Sequence, residues 1–333
     1  MRKISLYIVI TSVLLLAGSC AKDVSESTDT IYKRVLDAWI RVNYGNLAAT
    51  SSGLYILDRD YGTGTPVGDS SYVFANYTVQ DLTGNFTDFN TQEMARLMGT
   101  YADTAHYAPA VWRMGTTSVY DGIAEILKGM KVGGHVKAAI PPSLMKITTT
   151  ENTTNNTTTT SSGNQGATEN AVYEISVMKV VEDIDKYEES LLKDFAESYY
   201  PGLDTTSAGF YFLKTLELPD ADTIAADASI KVRYIGKLLD GYCFDTNIQD
   251  TAKFYRRYGG ERSALSVTFK TDEASLQTDN SIIGGFAKTI RRMRYGERAI
   301  SFFKSSMGYE AAGSTNIPSY APLFFEVWIE PKE

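Results

Sequence analysis

Histidine and cysteine, the side chains most often used as general base, thiol nucleophile or transition-metal ligand, are scarce in this 333-residue sequence. Histidine occurs twice, at His106 and His135, and cysteine twice, at Cys20 and Cys243. The second half contains no histidine, which argues against a Ser-His-Asp arrangement there. Two histidines in the whole chain argue against a His-rich metal site. His135 reads as an exposed strand residue and Cys243 as a buried or half-buried, inert thiol. The other residues of interest are Tyr234, Phe244, Asp245, Ile282, Ile283, Phe286, Tyr309, Ile317 and Phe325. Taken singly, the aromatics and isoleucines read as core, Asp245 as a turn residue and Tyr309 as a surface loop residue. Only their joint order argues for a pocket.

The formal net charge is −8, and an acidic surface speaks against nucleic acid as a partner. The local run Arg291, Arg292, Arg294 reads as a solvated helix face. The first residues have the layout of a signal peptide: Arg2 and Lys3, an apolar stretch from Ile4 to Leu16, then Ala17, Gly18 and Ser19. The apolar stretch is short for a membrane span. Leu16-Ala17-Gly18-Ser19-Cys20 resembles a bacterial lipobox, with Ala17 where Leu is usual. The resemblance implies cleavage after residue 19 and a lipid anchor on Cys20, which places the protein in the cell envelope. Ala21 after the cysteine implies sorting to the outer membrane, facing the periplasm or the exterior. Residues 20–31 read as a flexible tether.

The elements repeat. Thr50-Ser51-Ser52-Gly53-Leu54-Tyr55 recurs as Thr206-Ser207-Ala208-Gly209-Phe210-Tyr211, Tyr77 as Tyr234, Asp88 as Asp245, and Met130-Lys131-Val132-Gly133 as Met293-Arg294-Tyr295-Gly296. Each copy opens on a helical pattern: Tyr32, Val35, Leu36, Trp39, Ile40 in one, and Tyr187, Leu191, Leu192, Phe195, Tyr199 in the other. Half-buried strands follow, with Ile230, Val232, Tyr234 and Leu323, Phe325, Val327, Ile329 alternating against polar neighbours. One short internal helix is expected per copy, marked by Ile123, Leu127, Met130 and by Phe286, Ile290, Met293. This predicts α+β units, each a helix against an antiparallel sheet. The boundary is expected at 182/183, giving domains 32–182 and 183–333. Residues 147–170, rich in Thr, Asn and Ser, read as a disordered insertion in the first copy.

Val232-Arg233-Tyr234-Ile235-Gly236-Lys237-Leu238-Leu239-Asp240-Gly241-Tyr242-Cys243-Phe244-Asp245-Thr246 resembles the FKBP-type prolyl isomerase segment V-x-Y-x-G-x-L-x-D-G-x-x-F-D-S. Ile282-Ile283-Gly284-Gly285-Phe286 resembles V-I-x-G-W, and residues 317–327 resemble the terminal I-P-P-x-A-x-L-x-F-x-V strand. The resemblance covers residues 203–331, and more weakly 47–180. It implies two bent antiparallel sheets, each wrapped around one short helix and each preceded by an additional helix.

The resemblance also implies a chemistry. Rotation about the bond before proline must give up amide resonance, a barrier of about 20 kcal/mol. An aromatic bowl that holds the prolyl ring and favours the less polar twisted amide lowers it. No metal or cofactor is called for. Tyr234, Phe244, Ile282, Ile283, Phe286 and Phe325 would line the bowl, and the Ile283 N–H would hold a substrate carbonyl. Asp245 would form the polar edge, Tyr309 would lie over the pocket and Ile317 would close one side. Three features depart from the family: Phe286 stands for its tryptophan, residues 248–264 lengthen a loop, and Glu310 replaces a glycine. In the first copy Thr87 and Ile123 replace aromatics, residues 90–117 are inserted and no counterpart of Tyr309 exists, so that copy reads as non-catalytic. The expected role is prolyl isomerisation of polypeptide clients in the envelope. The alternatives are a non-catalytic module that binds proline-containing segments and a purely structural lipoprotein.

Overall fold

The computed structural model describes residues 26–115, 119–153, 156–162, 168–205, 207, 209–257 and 259–332. Cys20 and the signal segment lie outside them. The first domain opens with the helix Thr28–Tyr44, four residues earlier than Tyr32, because Ser27 caps it by accepting from the Thr30 N–H. It ends at Gly45, whose φ of 68° suits glycine.

Its strands are β1 (Tyr55–Asp60), β2 (Tyr72–Asp81), β3 (Phe86–Phe89), β4 (Ala110–Arg113), β5 (His135–Ile140), the pair β6 (Ile147–Thr153) and β7 (Asn156–Ser162), and β8 (Ala171–Val181). The helix Ile184–Tyr199 follows. The second domain then adds β9 (Phe210–Leu216), β10 (Ser229–Leu238), β11 (Cys243–Thr246), β12 (Leu265–Thr268), β13 (Arg298–Phe303) and β14 (Leu323–Ile329).

The two sheets have one topology. The first runs β1-β5-β8-β2-β3 with β4 on β2; the second runs β9-β13-β14-β10-β11 with β12 on β10. All pairs are antiparallel, and the register break between Val79 and Gln80 recurs between Gly236 and Lys237. The chain is therefore two copies of one α+β fold.

Each sheet buries both faces. In the second domain Val232, Leu238, Phe303, Phe325 and Val327 pack around Phe286 and Ile290 of the short helix Gly284–Ile290. On the other face Tyr211, Ile300, Phe302 and Phe324 meet Leu192 and Ala196 of the helix Ile184–Tyr199. The first domain repeats this with Ile123, Ile126 and Leu127 of Asp121–Leu127 on one face and Leu36 and Ile40 on the other. This arrangement is why strand residues such as Phe324 and Ile300 are buried although they break the alternation: the leading helix covers what would otherwise be a solvent face.

Three expectations need correction. The segment 147–170 contains the β6–β7 hairpin, paired from Ile147↔Ser162 to Thr153↔Asn156. Threonine is β-branched and favours strands even without a core to join. Each domain has more than one internal helix: Gln92–Leu97 in the first, and Gln249–Phe254 and Glu273–Asn280 in the second. Thr91, in the insertion 90–117, caps Gln92–Leu97, and Asp272 caps Glu273–Asn280. Finally, Arg291, Arg292 and Arg294 follow the helix Gly284–Ile290 instead of lining it; Arg292 lies over the Phe210 ring and Arg294 reaches the Pro219 carbonyl.

Candidate functional site

The second sheet is bent over its short helix, and a cavity of about 420 Å³ opens at that junction. It is lined by Tyr234, Phe244, Asp245, Ile282, Ile283, Phe286, Tyr309, Ile317 and Phe325. Thus all nine pocket residues picked from the sequence line one cavity.

The aromatic rings support each other. Phe286 meets Phe325 at 5.2 Å and Tyr234 at 5.5 Å between centroids, the latter edge-on at 75°. Phe244 stands edge-on to Phe325 at 5.6 Å. These are favourable edge and tilted arrangements for π systems. Two glycines make the packing possible. A Cβ at Gly236 would lie 2.6 Å from the Phe244 ring, and one at Gly285 would lie 2.2 Å from Phe303. Only a bare backbone lets the Phe244 ring of β11 pack on β10 and lets the helix settle on β13.

The polar edge is one carboxylate. The Tyr234 hydroxyl donates to Asp245 Oδ2 at 2.6 Å, and the Thr246 N–H donates to Oδ1 at 2.9 Å. Arg262 Nη1 stands 3.7 Å from the same Oδ1. Burial, with Asp245 beside it, pushes the Tyr234 hydroxyl far above its ordinary pKa, so it stays a proton donor. Burial also raises the Tyr309 hydroxyl, again with Asp245 contributing. Asn247 fixes the strand exit: its Oδ1 accepts from the Tyr234 N–H at 2.8 Å, and its Nδ2 donates to the Val232 carbonyl at 2.8 Å.

Ile283 is the N-cap of the helix Gly284–Ile290. Among the described residues its N–H makes no hydrogen bond to another protein group. It follows Ser281, which turns the chain with φ of 53°. Phe286 and Ile317 are buried, whereas Tyr309 is 37% exposed at the mouth. The rim loop holds its own shape: Ser314 and Ile317 exchange backbone hydrogen bonds, and the Tyr320 N–H donates to the Glu310 carbonyl. Cys243 is buried close by, and burial pushes its thiol up to about 11. A thiol held protonated is no nucleophile.

Sequence reading missed Arg262, Leu265, Asn280, Ser281, Ser314 and Asn316. All but Arg262 line the cavity; Arg262 faces Asp245. Nothing in the residue types announced Arg262, which sits in the long loop before β12. Asn247 had a signal: Asn90 occupies the matching place after Asp88, with the Tyr77 N–H donating to it and its amide on the Ala75 carbonyl.

The first domain keeps the polar pair and loses the bowl. The Tyr77 hydroxyl donates to Asp88 Oδ2 at 3.0 Å. By register Val79 and Tyr173 stand where Gly236 and Phe325 do. Thr87 is exposed and Ile123 fills the floor position. Burial and neighbouring tyrosines and Asp88 raise the Tyr77 and Tyr173 hydroxyls.

Residues 221–330 match the family described as FKBP-type peptidyl-prolyl cis-trans isomerase. That match lies in the second domain, and the first domain repeats the second domain's sheet topology. Among solved structures it is similar to the three FKBP domains of wheat FKBP73, at 15% identity and TM-score 0.29, covering 84% of this chain and 95% of that one. It is also similar to a peptidyl-prolyl isomerase from Pseudomonas syringae pv. tomato, at 21% identity and TM-score 0.31, covering 44% and 92%. A third likeness is to FkpA from Escherichia coli, at 20% identity and TM-score 0.32, covering 44% and 58%. No curated protein matches the chain.

Proposed function

We propose that this chain is a prolyl isomerase and folding helper of the bacterial cell envelope, with catalysis in the second domain. The observation that carries the reading is the Tyr234–Asp245 pair at the edge of an aromatic cavity floored by Phe286. The prolyl ring of a client packs on Phe286 and Phe325. The free Ile283 N–H takes a client carbonyl. The twisted amide is less polar than the planar one, so a dry aromatic bowl holds it better, and that difference is the catalysis. No group in the site needs to exchange a proton. Partners are proline-containing polypeptides and the membrane, through an acylated Cys20 in the outer-membrane leaflet.

A protease-coupled isomerisation assay on a short X-Pro peptide tests this. The native chain should exceed the uncatalysed rate, and the double substitution Tyr234→Ala with Asp245→Ala should remove the excess. Labelled fatty acid should enter the chain in bacteria, and Cys20→Ala should abolish that. Phe286 in the floor position and the degraded first bowl favour one other reading, a module that binds proline-containing segments without turnover. Peptide binding with no rate across several residues before proline would select it.

A further inference from the structure

The insertion at residues 90–117 builds one wall of a second cavity, of about 480 Å³. Tyr77, His106, Pro109 and Trp112 form its first-domain side. The rim loop of the bowl forms the other. Ser314, Asn316 and Ile317 line both cavities, so bowl and cleft are two sides of one loop. Tyr77 is the counterpart of Tyr234; the vestigial site of the first domain thus faces the intact site of the second.

The juxtaposition is held from several directions. The Tyr242 hydroxyl donates to the Thr104 carbonyl at 2.7 Å. His106 Nε2 lies 2.8 Å from Asp240 Oδ2, and its ring lies 4.7 Å from that of Tyr242. Tyr72 meets Tyr320 edge-on at 5.0 Å. The lining is mixed. Tyr77 and Trp112 present aromatic faces, 5.8 Å apart and tilted by 35°, while Ser314, Asn316 and Ser319 offer hydrogen-bonding groups.

We propose that this cleft is a second client subsite, taking an apolar or prolyl side chain a few residues along the chain from the proline held in the bowl. Aromatic faces suit that side chain, and the polar rim suits the extended backbone on either side of it. A client seated in the bowl can leave over Asn316, and extended chain advances about 3.3 Å per residue, so a few residues cross the loop. The inference rests on the reading of the bowl as the prolyl site, and it gives the first domain a task that requires no catalysis.

The test uses the full chain, a short X-Pro peptide and a fluorescent peptide of about 15 residues with one central proline and apolar flanks. Kd is read by anisotropy and turnover by the coupled assay. The long peptide should bind about tenfold more tightly than the short one. Trp112→Ala should erase that gain and leave the rate on the short peptide unchanged. Ala311→Arg, a change at an exposed residue of the cleft outside the bowl, should do the same without touching the first core. Equal affinity for both peptides in the native chain would overturn the proposal, as would a gain that survives both substitutions. If neither peptide is turned over, the isomerase reading fails, and the difference in Kd still decides the cleft.

Discussion

Tyr234 and Asp245 form the same hydroxyl-to-carboxylate bond, 2.6 Å long, that Tyr77 and Asp88 form at 3.0 Å in the first domain. The bond ties β10 to β11 where the register breaks, and so fixes the edge of the bowl. Its persistence in a domain without a bowl means that it has a structural part to play. In the second domain that part and the functional one are separable by substitution.

Tyr234→Phe keeps the ring and removes the donor. A hydrogen bond to an ionised group contributes about 1.5–3 kcal/mol, and Asp245 retains Thr246 and Arg262. Stability should therefore fall by about 1–2 kcal/mol in urea unfolding, and kcat/KM by roughly tenfold. Asp245→Asn should cost at least as much, because Tyr234 and Thr246 donate to different carboxylate oxygens and one amide oxygen can accept from only one of them. Unchanged rates in both variants would remove this pair from the mechanism.

Phe286 is buried under Tyr234 and Phe325. Phe286→Trp widens the floor on which the prolyl ring rests. Turnover on short peptides should rise a few-fold, corresponding to about 1 kcal/mol of extra aromatic contact in the twisted state. The larger ring must fit a packed core, so stability should fall by about 1–3 kcal/mol. A fall in both quantities would mean that the floor is already the size this bowl requires.

Gly236→Ala is expected to be costly although the substitution is small and the strand conformation ordinary. The new methyl would lie 2.6 Å from the Phe244 ring and 3.1 Å from Phe325. Displacing the ring should destabilise the domain by about 1–3 kcal/mol, and thermal melting reads that. The same change at Gly241, which has open space around it and a φ of 90°, acts only through backbone strain.

The legible part of this molecule was the part written in short-range pattern. The alternation of β10 and β14, the Phe244–Asp245 corner and the Ile282–Phe286 helix entry each report one element, and each named residue reached the cavity. Arg262, Asn316 and the cleft of Trp112 were illegible because they depend on where long insertions fold back. The Thr-rich segment was misread for a related reason: composition reported that it could bury no core, but a hairpin needs only its own backbone pairing.

Glu188 carries a pH dependence of its own. This carboxylate is buried on the helix Ile184–Tyr199 and accepts from both the N–H and the hydroxyl of Ser305, each at 2.6 Å. Ser305 starts the turn that leads to Tyr309 and accepts from the Glu310 N–H, so the helix anchors the root of the rim loop. Burial raises the Glu188 pKa, with Asp185 adding to it; the Ser305 bonds and Lys304 pull the other way without cancelling it. A raised folded pKa means that the folded state binds this proton more tightly than the unfolded one. The stability it contributes is full below the ordinary glutamate pKa and is lost as pH rises through the raised value. Glu188→Gln should remove that increment, so the difference in unfolding free energy between native and variant should change as pH rises from the ordinary glutamate pKa and flatten above the raised one. Glu188→Ala should also weaken short-peptide turnover, by loosening Tyr309, and the Gln variant should restore it, since its side-chain oxygen still accepts from the Ser305 N–H. A pH-independent difference between native and Gln variant would mean that Glu188 titrates alike in both states.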